Sequence, residues 1–492
     1  MKKYIILLCA AALFLGSCYM LLPPKEDDPN EKKFWAIDFT KAGQRRYFYQ
    51  AKARRLYEGE KCVIYAETSA GISAEAAENF ALEYDEKIYG LMLEYFCDRN
   101  FTVGQTTYND TLEHAYSLVD NQDKLIILLL DIRDGYRPGG GYVAGYFDPR
   151  NLYNGANSNS KNMIYIDTNP GMKNQEEMYS TFAHELQHLI NYVTSIRLRP
   201  NGQSPLPHQM DTWIDEGLSL MAEYLYQGKP LESRIEWFNE DQKGTIAWGN
   251  NFYVWDNYYP DSVLDDYATA YLFFQWLYLQ AGEDEAPALL KDIAASGNYD
   301  YRAVTGNAAS IIPGGGDWET LLRTWLAANY INHPENEYGY KRNDAFKDIG
   351  IKTYQLPNDE GKYIIELCPG EGVYSTIDSS FELPEDDSSG VNIRYAGLQK
   401  SAPIVNTSGP SYTGDFLLTF NKNTVKNTDG EGEYENGYFT GKPDAPVRAA
   451  ERAVANFLYP VRIDARDLMR RNDAPDQIKF VPKKARLPAD EH

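Results

Sequence analysis

The feature that most restricts what this chain can fold into is the string TFAHELQHLINY at residues 181–192. Phe182, Leu186 and Leu189, with Met178 before them and Val193 after, recur at helical spacing, so the segment predicts an amphipathic helix whose apolar face needs a core. His184 and His188, two of only six histidines, stand four residues apart and project from one side of that helix about one turn apart. Both imidazoles can therefore reach a single metal ion, with Glu185 beside them. The core is available: the 492 residues are 43% hydrophobic and 24% charged, which excludes wholesale disorder. At roughly 100–200 residues per domain, the length suggests two or three units. Lys and Arg number 48 against 71 Asp and Glu, a net charge of -23, and this argues against a nucleic-acid partner, because neutralising phosphates needs a basic surface.

Zinc is the usual occupant of such a histidine pair, and a catalytic zinc needs a third protein ligand and one open position. The metzincin pattern would put Gly three and His six residues after the second histidine; Asn191 and Thr194 stand there, so that arrangement is excluded. Downstream, WIDEGLSLMAEY forms a second helical pattern through Ile214, Leu218, Met221 and Leu225. Glu216 lies 28 residues after His188, enough for an antiparallel helix return, and we take it as the third ligand of a His-His-Glu site holding one zinc ion. Glu185 is then the general base that takes a proton from the attacking water. Glu223, seven residues after Glu216, returns to the same helix face, either to hydrogen-bond a metal-binding imidazole or to sit in solvent.

HELQH followed by WIDEGLS resembles the gluzincin metallopeptidases. The order of these strings with DYATAYLFFQWLYLQAG and WETLLRTWLAANYI is similar to the hyicolysin family of secreted bacterial neutral metalloproteases, over about residues 124–332. The resemblance implies a protein or peptide substrate and an oxyanion-stabilising tyrosine at the start of a later helix. Tyr267 stands at the matching place, and Tyr271, one turn on, competes with it. It also raises residues 163–166 as the edge strand on which an extended peptide docks, against an interior strand. Asp215 stands where many relatives have Asn.

The remaining chain predicts an α+β protein: a mixed sheet with the active-site helix, a helical subdomain, then a β-rich, sandwich-like accessory domain. Lys2 and Lys3, an apolar run at 4–15, and Gly16 and Ser17 before Cys18 have a signal-peptide layout. LGSC there resembles a bacterial lipobox, which implies a lipid on Cys18 and an extracytoplasmic membrane lipoprotein. Residues 18–33 read as a tether. The catalytic region spans 34–348, being α+β over 34–175 and mainly helical over 176–348, and the accessory domain spans 349–492. Strands are expected at 62–66, 124–130 and 163–166, a helix at 73–97, a flexible glycine loop at 139–141, and later strands at 363–367, 391–395 and 415–420 before a long loop at 423–437. Cys62, Cys97 and Cys368 permit one disulfide at most. The reading is a lipid-anchored zinc endopeptidase; its rivals are a zinc aminopeptidase and a non-catalytic surface-binding lipoprotein.

Overall fold

The structure, a computed structural model, describes residues 30–41, 47–119, 122–138, 140–241, 246, 249, 252–253, 263–351, 354–356, 369–377, 393–400, 404–406, 416–424, 434–435 and 438–439. The signal segment at 1–17, Cys18, Gly139, the strand expected at 363–367 and Cys368 lie outside these residues.

The first layer is a six-stranded sheet. Its strands are β1 (Glu31–Ile37), β2 (Phe48–Glu58), β3 (Cys62–Glu67), β6 (Leu125–Leu130), β7 (Gly145–Phe147) and β8 (Met163–Asp167), in the order β1-β2-β3-β6-β8-β7. β3, β6 and β8 run parallel, while β1, β2 and β7 make the antiparallel edges. β6 reads LIILLL without alternation because both its faces are buried. Leu125, Ile127 and Leu129 pack in the main core with Phe182 and Leu186; Ile126, Leu128 and Leu130 pack on the other face with Phe34, Tyr146 and Tyr165. Each such side chain contributes about 1.5–3 kcal/mol by its burial. Glu31, Lys32 and Lys33, read above as tether, already belong to β1, where they pair with Arg54, Ala53 and Lys52. Between the sheet strands lie helix α1 (Ala74–Glu83), a π-helical turn (Tyr84–Ile88), α2 (Tyr89–Tyr95), the hairpin β4 (Arg99–Val103) and β5 (Thr106–Asp110), and α3 (Thr111–Ser117). Ser73 Oγ caps α1 by accepting the Ala76 N–H, and the π turn keeps Tyr84, Ile88 and Met92 all in the core.

The second layer is helical: α4 (Gln175–Leu198), α5 (Thr212–Gln227), α6 (Glu232–Glu240), α7 (Val263–Ala294), α8 (Tyr301–Ala308) and α9 (Trp318–Ile331). Asn174 caps the start of α4, and α5 stops at Gly228, whose φ of 64° lets the chain turn left-handed. Contacts of Ser180 with Gln227, His184 with Glu223 and His188 with Asp215 fix α4 and α5 as an antiparallel pair. α7 is interrupted at Gly282 and lies across α5.

Beyond these, β9 (Tyr354–Leu356), β10 (Gly372–Ile377), β11 (Ile393–Gln399), β12 (Ile404–Asn406) and β13 (Phe416–Asn421) form a five-stranded sheet in the order β12-β11-β13-β10-β9. Tyr374, Ala396, Leu398, Leu418 and Phe420 join the same core as α9. At the end of the segment read as a long loop, β14 (Tyr434–Glu435) pairs with β15 (Tyr438–Phe439), which lies just past it. Among the described residues, no helix is long and apolar enough to cross a membrane.

Candidate metal centre

The centre sits where α4, α5 and α7 meet under the β7 edge. His184 and His188 leave α4 one turn apart, and Glu216 reaches them from the second turn of α5; all three are buried. Their ligand atoms lie within 4.8 Å of one another, so the three residues can hold a metal ion, and no other such group occurs among the described residues. The two Nε2 atoms are 3.0 Å apart, and Glu216 Oε2 lies 3.2 Å from that of His184 and 3.6 Å from that of His188.

What surrounds these atoms decides their chemistry. His184 Nδ1 lies 2.9 Å from Glu223 Oε1, and His188 Nδ1 lies 3.0 Å from Asp215 Oδ2. A carboxylate only accepts, so each Nδ1 carries the proton, and each Nε2 turns its lone pair toward the other and toward Glu216. Glu216 Oε2 receives no well-directed hydrogen bond although it is buried. Three electron-rich atoms thus converge, which is the donor set of a His-His-Glu metal site. The surrounding carboxylates favour positive charge at the rings. Burial depresses the His184 pKa, but Glu216 and Glu223 outweigh it and push the value up to about 9. Burial likewise raises Glu216, yet His188 and His184 pull it down to about 2. The pocket is built around positive charge.

Glu185 is 1% exposed and aims at the same space. Its Oε2 accepts the Phe147 N–H from β7 at 3.0 Å, and its Oε1 has no partner. Burial pushes its carboxyl up to about 7, opposed by His184 and His188. The Tyr267 hydroxyl, from the first turns of α7, donates to Glu216 Oε1 at 3.1 Å, while the Arg234 guanidinium lies over its ring at 4.9 Å. Tyr271 faces away, accepting the Leu231 N–H at 2.9 Å. Residues 163–166 are interior, because β8 pairs with β6 on one side and β7 on the other; the edge strand beside the centre is β7. His208 stacks on Tyr299 and His333 accepts the Glu335 N–H, and neither joins the cluster.

Three partners were not found by sequence reasoning. Asp215 holds His188, and its adjacency to Glu216 was the available signal, since a metal-binding histidine needs a partner for its second nitrogen. Asn191, used above only to exclude a pattern, donates its Nδ2 to Asp215 Oδ1. The backbone of Phe147 carries no sequence signal, because any residue there supplies the same N–H.

No family model matches the chain. The chain is similar to the neutral metalloprotease ShpI of Staphylococcus hyicus, 32% identical over 262 residues, which are 52% of this chain and 53% of that protein. The match thus spans about half the length of this relative, and with the buried His-His-Glu cluster it supports a place among the metalloproteases.

Proposed function

We propose that the protein is a zinc metalloendopeptidase of the hyicolysin-like gluzincin type, exported and lipid-anchored through Cys18. One observation carries the catalytic reading: two imidazoles with carboxylate-bound Nδ1 atoms and a buried carboxylate oxygen converge beside a buried glutamate that keeps one oxygen free. Zinc held by His184, His188 and Glu216 would supply Lewis-acid polarisation of the scissile carbonyl and a water of lowered pKa. The chain's own residues do the rest. Glu185, steadied through Oε2 by β7, accepts the water proton at Oε1 and returns it to the leaving amine. The Tyr267 hydroxyl is near enough to turn from Glu216 toward a developing oxyanion. Among the described residues β7 pairs with β8 on one side only, so its outer edge, beyond the Phe147 N–H that Glu185 takes, can receive an extended peptide by strand addition, which suits cleavage inside a chain.

The test is peptide-library and casein cleavage by purified protein with its metal content measured. Wild type is expected to cleave internal bonds and to lose this on chelation. Glu185→Gln should lose at least about 100-fold in kcat while retaining zinc, and Tyr267→Phe should lower kcat more than it alters KM. Activity surviving in Glu185→Gln removes this mechanism, and release of single N-terminal residues alone would mark an aminopeptidase. Cys18→Ser should move the protein from the membrane fraction to the soluble one; retention at the membrane removes the lipid anchor.

A further inference from the structure

The two imidazoles of the centre are held differently. Glu223 binds His184 directly, whereas behind His188 stands a line of buried polar groups that runs back to the end of α4. Arg199, the residue that closes α4, is 2% exposed. Its guanidinium donates from Nε to Ser296 O at 2.9 Å and from Nη2 to Ala294 O at 2.6 Å. Nη1 donates to Ser195 Oγ at 2.7 Å and to Asn191 Oδ1 at 3.2 Å. Asn191 Nδ2 donates to Asp215 Oδ1, and Asp215 Oδ2 faces His188 Nδ1 at 3.0 Å.

Resting on the zinc reading above, we propose that Arg199 and Asn191 are positioning residues for the metal centre, a one-way hydrogen-bond relay that fixes which nitrogen of His188 is left to bind the ion. Every link has only one polarity. A guanidinium donates and never accepts, so the Asn191 amide must turn its oxygen to Arg199 and its nitrogen to Asp215. Asp215 accepts at one oxygen from Asn191 and offers the other to His188, whose Nδ1 must therefore donate. Nε2 is then the nitrogen with the free lone pair, and it points at Glu216 Oε2 and His184. Were the Asn191 amide free to flip, its oxygen would face the Asp215 carboxylate and the orientation of that carboxylate would be lost. The arginine also places a positive charge behind the Asp215 carboxylate.

A plain packing role for Arg199, stitching the end of α4 to Ala294 and Ser296, makes a different prediction, and a double-mutant cycle separates the two. Zinc affinity of the full-length protein is read by competition with a chromophoric chelator, with thermal unfolding of the zinc-free forms recorded alongside. Arg199→Met and Asn191→Ala are each expected to weaken zinc binding about 10-fold or more, the range found for partners behind metal ligands. Placed on Asp215→Ala, which cuts the relay, each should cost less than about threefold further. Ser195→Ala, which removes a bond of Arg199 outside the relay, should leave zinc affinity unchanged. Equal losses in both backgrounds, or no loss in either, overturn the relay. If Arg199→Met does not fold, Asn191→Ala decides alone, because it leaves the other three Arg199 bonds intact. A wild-type protein that binds no zinc overturns the zinc reading itself, a result separate from an additive cycle in a protein that binds it.

Discussion

At the scale of single residues, the buried acids divide by what satisfies them. Glu216, Glu223 and Asp215 each face an imidazole. Asp167, at the end of β8, is held by the backbone instead: its Oδ1 accepts the Ile132 N–H at 3.0 Å and its Oδ2 the Gly171 N–H at 2.9 Å. Burial pushes its carboxyl up to about 7, with Asp134 and Asp131 adding to the rise and the two backbone bonds opposing it. The consequence for stability has a definite sign. Between about pH 4 and pH 7 the folded chain keeps a proton that the unfolded chain has released, so this residue makes stability fall as pH rises through that window and leaves it level above. Asp167→Asn should remove that part of the slope. It should also cost about 1–3 kcal/mol near pH 4, where both side chains are uncharged, because one of the two backbone N–H groups then meets an amide NH2 in place of an oxygen; the difference should shrink toward pH 8, where only the wild type carries a buried charge. Thermal unfolding from pH 4 to pH 8 reads both; a variant with the wild-type slope would show that the proton sits elsewhere.

At the scale of elements, the centre depends on how closely α5 can approach α7. Gly217, next to Glu216, makes that approach possible: a Cβ added there would stand 2.2 Å from Cδ2 of the Phe274 ring. Helix propensity alone favours Gly217→Ala by about 1 kcal/mol. The buried ring cannot yield without displacing the packed core around it, so overpacking, at about 1–3 kcal/mol, should win. The expected result is a lower thermal midpoint together with weaker zinc binding, since α5 carries Glu216 away from the α4 histidines; a raised midpoint would mean the two helices have room to adjust. The same helices show what was legible in the sequence. α4, α5, α7 and α9 each carry apolar residues at helical period, although the first three are buried all round at their centres, and β6 buries both faces, so their patterns announce them. β2 was not legible, because the residues it buries are Ala51 and Ala53, too small to mark an alternation against Lys52 and Arg54. β7 is three residues long and is defined only by pairing with β8. The place of Asp215 and Asn191 depends on the antiparallel register of α4 on α5, which neither segment states by itself.

At the scale of the whole molecule, the question is whether the sheet after Ile351 is an appendage or part of what holds the centre. Trp213 begins the path: it lies three residues before Glu216 and packs against Phe252 and Tyr253, with ring centroids 5.2 and 5.7 Å away. Tyr253 in turn meets Trp318 of α9 at 5.1 Å, and its hydroxyl donates to Thr424 O at 3.0 Å, beyond the end of β13. Gly249 O accepts the Gly372 N–H at 2.6 Å, and Tyr374 OH donates to Leu326 O at 2.7 Å. Glu319 on α9 pairs with Lys422 at 2.6 Å and Arg394 at 3.3 Å. The last pairs are partly exposed and contribute little, about 0–1 kcal/mol each. The apolar face of Tyr374, Ala396, Leu398, Leu418 and Phe420 on α9 contributes more, because ending the chain at Ile351 would return that face of α9 to water and uncover Tyr253. Tyr253 is 1% exposed and backs the first turn of the helix that carries Glu216, so loss of the sheet should be felt at the metal as well as in the fold. A protein ending at Ile351 is expected to unfold at a lower temperature and to bind zinc more weakly than the full chain. A truncated protein with the full chain's midpoint and zinc affinity would make the sheet a detachable module, and the path from Tyr374 to Trp213 would then be contact without consequence.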